Sequence, residues 1–196
     1  WYFSRSSLGT QDSALRTEAS PPSLPLPDKP SLIVLPFVNM SKDPDQEYFS
    51  DGLTETLTGD LSRISSLFVI ARNSAFTYKG KAVKVQDVSH EMGVRYILEG
   101  SVRRAADQVR ITTQLVDATT GEQLWAERFD RPFKDIFALQ DEIVQKIVTT
   151  LKLQISAQEQ GYIVRKHTDN LEAYDAFLRG MEYFWRATKE DNAQAR

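Results

Sequence analysis

The sequence predicts an α/β fold in which one mixed sheet follows the element order βαβαβββα. Short apolar runs at 31–37 and 67–71 fit strands that are buried on both faces. A helical pattern separates these runs, and this spacing is typical of a right-handed strand–helix–strand crossover. Three further strands are predicted at 96–102, 109–115 and 124–129, and the second of them alternates apolar and polar residues. The sheet is therefore expected to end as a meander.

Three helices are expected within this domain, at 48–64, 85–92 and 136–155. Apolar residues at helical spacing give the first and last helices a continuous apolar face, and the last should pack across one face of the sheet. Gly93 follows the second helix and can end it in the left-handed conformation that glycine adopts at low cost. The segment 72–81 shows neither helical nor strand periodicity and is predicted to be a structured loop.

Composition divides the chain into five segments. Trp1-Tyr2-Phe3 precedes a polar stretch, which is typical of the water-facing end of a transmembrane helix, although an arbitrary chain start gives the same pattern. Residues 4–29 are rich in proline and serine and predict an extended spacer, because proline fits neither a helix nor a central strand. Residues 30–157 then form the α/β domain, 158–170 a polar connector, and 171–196 the start of a helical repeat.

The helix predicted at 171–185 carries a large apolar face that the few remaining residues cannot cover. Burying a large aliphatic or aromatic side chain is worth roughly 1.5–3 kcal/mol, so this face should not stay exposed. We expect the helix to dock on a second copy of the chain or on the helix at 136–155, or else to fray. The residues of this repeat-packing or dimer face are Tyr174, Phe177, Leu178, Met181 and Phe184.

Composition also argues against several classes of function. The 196 residues contain no cysteine, which excludes disulfides, cysteine-ligated zinc and thiol catalysis. A net charge of −3 argues against a dedicated nucleic-acid-binding domain. No glycine-rich phosphate-binding motif occurs, and His90 and His167 lie in different predicted elements, without acids at metal-ligand spacing. We therefore predict no catalytic residue, no metal and no cofactor.

A group of cations between Arg63 and Arg110 is one candidate for a binding surface, because few acids lie between them. Such a patch can steer an anionic ligand or partner, but solvated strand ends also account for groups of this kind. Its members are Arg63, Arg72, Lys79, Lys81, Lys84, Arg95, Arg103, Arg104 and Arg110.

The segment after the strand predicted at 67–71 is a second candidate. Open α/β sheets bind their ligands outside the carboxyl ends of parallel strands, where this segment is expected to lie. Alternatively, its aromatic side chains only close the edge of the core. The candidate ligand or partner residues are Arg72, Asn73, Ser74, Phe76, Tyr78 and Lys79.

Several sequence blocks, in order, resemble the bacterial TolB amino-terminal-like domain. They are PSLIVLPF at 30–37, DQEYFSDGLTE at 45–55, IARNSAF at 70–76, GVRYILEGSVRR at 93–104 and QLWAERFD at 123–130. The resemblance covers residues 30–155. In that family the domain commonly lies between an N-terminal output domain with a membrane helix and a C-terminal tetratricopeptide array, and NLEAYDAFLRG at 170–180 resembles the usual entry to those repeats. The output domain is often a class III adenylate or guanylate cyclase, and in other members a winged-helix regulator.

These observations predict a non-catalytic sensor and protein-interaction region of a membrane-bound bacterial signalling protein. The resemblance implies an adenylate cyclase acting in cAMP signalling, with its catalytic domain upstream and this region in the periplasm at the inner membrane. The expected partners are a protein or peptide bound through the helical repeats, the membrane through a helix ending near Trp1, and further copies in a homo-oligomer, with no specific nucleic acid. The alternatives are the same module in a membrane-bound winged-helix transcriptional regulator, and an enzyme with an unrecognised site in the 72–80 loop.

Overall fold

A computed structural model describes residues 24–41, 43–163, 168 and 170–186. The strands in these ranges are β1 (Ser31–Val34), β2 (Val38–Asn39), β3 (Phe68–Val69), β4 (Tyr96–Ala105), β5 (Gln108–Asp117) and β6 (Glu122–Pro132). The helices are α1 (Glu47–Ser62), α2 (Arg72–Ala75), α3 (Val85–Met92), α4 (Ile136–Thr150), α5 (Ala157–Ile163) and α6 (Leu171–Arg186). Short 3-10 turns occupy Pro44–Gln46, Phe76–Tyr78 and Phe133–Asp135.

The strands form one mixed sheet in the order β3-β1-β4-β5-β6, with β2 also paired to β4. The pairs β1–β3, β1–β4 and β2–β4 are parallel, and the pairs β4–β5 and β5–β6 are antiparallel. The predicted fold class, α/β with a single mixed sheet, is confirmed.

Alternate residues of β1, together with Leu35, which directly follows it, lie in two separate cores, one on each face of the sheet. Leu32 and Val34 belong to the larger core, which is covered by α1 and α4. Ile33 and Leu35 belong to the smaller core, covered by the segment around α2 and by α3. All four side chains are fully or almost fully buried, which explains why this strand has a continuous apolar sequence rather than an alternating one.

The structure changes several predicted strand boundaries. The strand predicted at 31–37 ends at Val34, and pairing resumes only in β2, after Pro36, which has no amide hydrogen to donate to a ladder. The strands predicted at 96–102, 109–115 and 124–129 are longer than expected, because charged residues at their ends remain in the antiparallel ladder.

Helix α3 matches its predicted bounds and ends at Gly93 with φ 64°. The predicted loop, the predicted last helix of the domain and the predicted connector need correction. The segment predicted as a loop at 72–81 contains α2 and a 3-10 turn. The helix predicted to reach residue 155 ends at Thr150, and Lys152 then takes φ 51°. The predicted connector at 158–170 begins inside α5. The segments of α2 and α5 are too short or too polar to show a helical period, whereas Leu151, Leu153 and Ile155 continue the apolar pattern beyond the end of α4 because they pack against the larger core.

The described ranges contain no helix that is long and apolar enough to cross a membrane. The predicted membrane exit at residues 1–3 and most of the predicted spacer lie outside the described residues.

Candidate interaction site between α1 and α6

Helix α6 packs mainly against α1, a partner within the chain that the sequence did not predict. Leu178 lies against Gly52 so closely that a Cβ atom at position 52 would overlap a Leu178 methyl carbon. Leu178 is only 2 % exposed in consequence. The absence of a side chain at Gly52 therefore allows α6 to dock at this distance.

Tyr174 anchors the N-terminal half of α6 and is 5 % exposed. Its ring packs edge-on against Phe137 of α4, with 4.9 Å between the ring centroids. Its hydroxyl accepts a hydrogen bond of 2.6 Å from Nε2 of Gln140, also on α4. Burial raises the pKa of Tyr174 above its usual value. The sequence expectation that this helix reaches the helix at 136–155 therefore holds for Tyr174.

A charged network ties α6 to the sheet through Asp175. Its carboxylate accepts hydrogen bonds from the Tyr48 hydroxyl at 2.6 Å, from Arg104 Nη1 at 2.8 Å and from Arg179 Nε at 2.9 Å. Burial alone would raise the pKa of Asp175, but these hydrogen bonds outweigh it and the pKa is lowered. Burial and the hydrogen bond to Asp175 raise the pKa of Tyr48 to about 12. The network therefore holds a neutral phenol against an ionised carboxylate.

An aromatic–arginine stack fixes the C-terminal end of α6. The guanidinium of Arg72 lies between two rings, 3.7 Å from the centroid of Phe76 and 4.3 Å from that of Trp185. Arg72 Nε is 3.1 Å from Oε2 of Glu55, and Trp185 Nε1 donates to the same oxygen at 2.9 Å. Cation–π contacts of this kind strengthen as they lose water. Here the Arg72 side chain is 15 % exposed.

We call these contacts the α6 junction, and its five α6 residues are Tyr174, Asp175, Leu178, Arg179 and Trp185. Beside it lies a cleft of about 880 Å³, whose rim includes Glu47, Asp51, Lys79 and Tyr183. Lys79 Nζ is 2.6 Å from Asp51 and 3.1 Å from Glu47. Burial raises the pKa of Asp51, although Lys79 opposes this shift. Acids and bases balance around the cleft, so it has no evident preference for an anion or a cation.

The residues predicted as a ligand surface on 72–80 are divided between two sides of the sheet. Arg72, Phe76 and Lys79 face the cleft beside the α6 junction. Tyr78 lies on the opposite side, where its hydroxyl donates to Glu91 Oε2 at 2.7 Å. Asn73 is exposed and Ser74 half-buried, and neither lines the cleft. The segment therefore does not form one continuous binding surface.

Tyr78 lines a second depression, of about 690 Å³, at the carboxyl end of β1. Its walls come from Leu35 and Val38, from Val83 and from the open face of β4 and β5. The strand order reverses here, since β3 and β4 lie on opposite sides of β1, and α/β sheets commonly bind ligands at such a point. Among the described residues that line this depression, the charged ones are Lys81, which is exposed, and Glu99, which is half-buried.

Most cations of the predicted patch are paired with acids elsewhere in the chain. Arg95 pairs with Asp117, Arg104 with Asp175, and Arg110 with Asp130. Arg63 and Arg72 pair with Asp60 and Glu55 on α1. Most of these cations are therefore committed to ion pairs within the chain, a reason for their clustering that differs from both the predicted anion-binding surface and solvated strand ends.

The predicted repeat-packing or dimer face of the last helix is split. Tyr174 and Leu178 are used in the α6 junction, whereas Phe177 and Phe184 are 58 % and 53 % exposed. Met181 and Phe177 line a groove of about 410 Å³ between α6 and α1. A dimer or repeat contact through Phe177 and Phe184 stays a prediction.

Sequence reasoning missed Asp175, Arg179, Trp185, Tyr48 and Glu55. Asp175 and Arg179 stand four residues apart on one helix, a spacing that indicates a local ion pair. Nothing in the local pattern indicated that both would meet Tyr48, which lies more than 120 residues earlier.

A family model described as "HilA/YgeH-like transcriptional regulator, second domain" matches residues 28–146. "Putative adenylate cyclase 3" of Rhizobium meliloti (strain 1021) is 50 % identical over 178 residues, which cover 91 % of this chain. The chain spans 30 % of the length of that relative.

Among solved structures, the chain resembles TolB from Acinetobacter baumannii, with a TM-score of 0.48 and 19 % identity over 66 % of this chain and 29 % of the other. It also resembles lipoprotein GNA1162 from Neisseria meningitidis, with a TM-score of 0.45 and 19 % identity over 64 % of this chain and 99 % of the other.

The close contact at Gly52 predicts opposite effects for two glycines of α1. Gly52→Ala places a methyl group inside the Leu178 side chain and should weaken α6 docking. Gly59→Ala has no atom within 4 Å of the added Cβ and should stabilise α1 by about 0.5–1 kcal/mol through helix propensity. Urea unfolding and hydrogen exchange of the α6 amides measure both effects. Equal protection of α6 in the two variants would contradict the proposed role of Gly52.

The lowered pKa of Asp175 predicts a pH-dependent contribution to stability. A carboxylate with a lowered folded-state pKa stabilises the fold above its unfolded pKa, about 4, and this stabilisation is lost as the pH falls through the lower folded value. Asp175→Asn should therefore cost about 1 kcal/mol at neutral pH, a figure that allows for partial solvent exposure. The difference from wild type should stay constant down to about pH 4 and shrink below it. Urea titrations across the pH range test this, and a difference that widens in acid would refute it.

Proposed function

Because the chain belongs to the family of HilA/YgeH-like transcriptional regulator second domains, we propose that it is a non-catalytic regulatory and protein-interaction module of a bacterial signalling protein. Its role is to couple the region that follows α6 to the output domain of the same protein. The observation that carries this proposal is the α6 junction, in which one helix contacts α1, α4 and β4 at once.

The contacts of α6 support a coupling role because they connect elements that are far apart in the chain. Asp175 binds Arg104 on β4, Tyr174 binds Gln140 on α4, and Trp185 binds Glu55 on α1. A force or partner that moved α6 would therefore act on the sheet and on both helices of the larger core. Charged and aromatic contacts that are partly exposed to water break and re-form more easily than a dry apolar interface. A contact that is regulated has to break and re-form in this way.

The output domain we propose is an adenylate cyclase, which makes this chain part of a cAMP signalling protein. The proposal is supported by the 50 % identity to part of the Rhizobium meliloti relative, whose name gives it as a cyclase. In this arrangement the cyclase active site lies in the part of the protein that this chain does not span, and the α/β domain contributes no catalytic group.

A second candidate is the same module in a transcriptional regulator with a winged-helix output domain. The family match over residues 28–146 favours this candidate, because the family is described as a domain of transcriptional regulators. Both candidates assign the same role to the α6 junction and differ only in what it controls. The amino-acid sequence upstream of residue 1 distinguishes them, since a cyclase core and a winged helix have unrelated patterns.

The α6 junction should control output in the full-length protein. In a full-length cyclase that contains this region, Gly52→Ala should change cAMP production by about fivefold or more. A change of about fivefold corresponds to the lower end of the coupling free energies typical between two sites. Gly59→Ala on the same helix should leave production unchanged. As a control, residues 1–196 alone should convert neither ATP nor GTP and should hydrolyse no phosphoester or glycoside. Turnover by the isolated chain, or equal output from the two glycine variants, would refute the proposal.

We place this region in the periplasm, tethered to the inner membrane by a helix that ends near Trp1. The support is the sequence Trp1-Tyr2-Phe3 followed by polar residues. A C-terminal tag on the full-length protein should then be cleaved by protease added to spheroplasts, whereas a tag at the opposite end should be protected. Protection of the C-terminal tag in intact spheroplasts, with cleavage after detergent, would place the region in the cytoplasm instead.

A further inference from the structure

The outer edge of β6 is a long, unpaired strand edge. β6 spans Glu122–Pro132 and pairs with β5 on one side, and among the described residues no strand pairs with its other side. Edges of this length are templates for pairing with another strand, and proteins usually protect them with charges, proline or a bulge. The kind of protection on β6 therefore indicates whether the edge is closed to all strands or selective for one.

The hydrogen-bond pattern shows which groups of β6 point outward. The Phe133 amide donates to the Asp107 carbonyl at 2.7 Å, in the same antiparallel register as the β5–β6 ladder. Because bonded and non-bonded positions alternate in such a ladder, odd-numbered residues of β6 from 127 to 131 bond to β5. The amides and carbonyls of Ala126, Arg128 and Asp130 therefore point away from the sheet. Pro132 is also even-numbered, so its nitrogen points away from β5. Its missing N–H therefore removes no hydrogen bond between β5 and β6.

The charges on this edge are self-complementary. The sequence Glu127-Arg128-Phe129-Asp130-Arg131, read backwards, has the opposite charge at each charged position. We propose that β6 pairs antiparallel with β6 of a second copy of this chain, with the two-fold axis at Phe129. Arg128 then faces Asp130 of the second copy, and Glu127 faces Arg131 of the second copy. The two-fold axis repeats both pairs.

Neighbouring registers lack this complementarity. In a continuous sheet, two residues that face each other across a strand pair have their side chains on the same face. The two-fold axis can therefore pass through a residue of β6, but not between two residues. A centre at Arg128 brings two arginines together, a centre at Asp130 brings two aspartates together, and a centre at Glu127 brings two glutamates together. Opposite charges across a strand pair stabilise it and like charges destabilise it. The charge pattern therefore specifies one register as well as one partner.

Helix α4, which lies above this edge, extends the same pattern. Glu142 is 3.6 Å from Arg131, and Lys146 is 3.2 Å from Glu127. In the proposed register, Arg131 faces Glu127 of the second copy. A row of alternating charges would then run from Glu142 through Arg131 to Glu127 and Lys146 of the second copy. The side chains in this row are exposed by one third to nearly one half in the single chain, so they can form these contacts without unpacking the core.

The four charged residues of the edge also have partners within the chain, and these contacts do not prevent pairing. Arg128 Nε is 3.2 Å from Asp130 Oδ2, with side-chain exposures of 64 % and 46 %. Pairs this exposed contribute little to stability. An opposing strand would offer each of these side chains a second opposite charge, together with main-chain hydrogen bonds to Arg128 and Asp130.

Register-specific cross-linking tests the pairing directly, because the natural chain contains no cysteine. Mixing Arg128→Cys chains with Asp130→Cys chains should give a disulfide-linked heterodimer under mild oxidation, since the two positions face each other. Neither variant alone should cross-link efficiently, because each cysteine then faces a charged residue. A matched mixture of Glu122→Cys and Asp130→Cys chains, which the register keeps apart, is the control. Cross-linking in the control mixture as fast as in the test mixture would overturn the proposal.

Exchanging the charges of Glu127 and Arg131 distinguishes the proposed contact between two copies from the ion pairs that these residues form within one chain. Glu127→Arg and Arg131→Glu should each weaken the dimer about tenfold, measured as the dissociation constant by analytical ultracentrifugation. The double variant restores opposite charges between copies but leaves the wrong charges beside Lys146 and Glu142, so it should dimerise like the wild type. A double variant as weak as the single variants would overturn the proposal. So would a wild-type chain that stays monomeric up to its solubility limit, or a dimer broken only by Phe177→Asp with Phe184→Asp. Circular dichroism verifies that each variant is folded.

Discussion

The burial of α1 on two sides is the constraint on which the rest of the structure depends. One side of the helix contributes Phe49, Leu53, Leu57 and Leu61 to the larger core, and another receives α6 over Gly52. The chain that leaves β1 is tied to the same helix, because the Phe37 amide donates to Thr54 Oγ1 at 3.0 Å. A buried amide with no partner in the ladder would cost stability, and the Thr54 hydroxyl removes that cost. Displacing α1 would therefore disturb the sheet, the strand connection and α6 together.

This arrangement assigns different tasks to the apolar and polar residues of one helix. The apolar residues hold α1 on the sheet, where they are fully buried. Asp51 and Glu55, which by sequence alone belong to a solvated face, instead form ion pairs with Lys79 and Arg72. These pairs lie at the boundary between the α/β domain and α6. The core can thus stay intact while the contacts at this boundary change, and such a separation is what a regulatory junction needs.

The parts of this structure that sequence could predict are those determined by local patterns. The two-sided burial of Leu32–Val34, the helical face of α1 and the end of α3 at Gly93 each follow from a few consecutive residues. The site could not be found in the same way. Gly52 and Leu178 are separated by 126 positions, and Arg104 and Asp175 by 71. Neither Gly52 within α1 nor Asp175 within α6 carries a local signal of its distant partner. For this reason the sequence alone indicated neither the acids that pair with the cations nor the helix that covers α6.

The two edge strands of the sheet differ in length and in how they are protected. β3 is an edge of only two residues, with Lys29 and α5 close by through Ser65, so it offers little backbone to another strand. β6 is long, and its protection consists of charges of both signs rather than of one. Charges of a single sign would repel every copy of the same strand, whereas a self-complementary set repels copies in the wrong register and accepts one register. The sequence of β6 therefore makes this edge selective for one partner strand in one register.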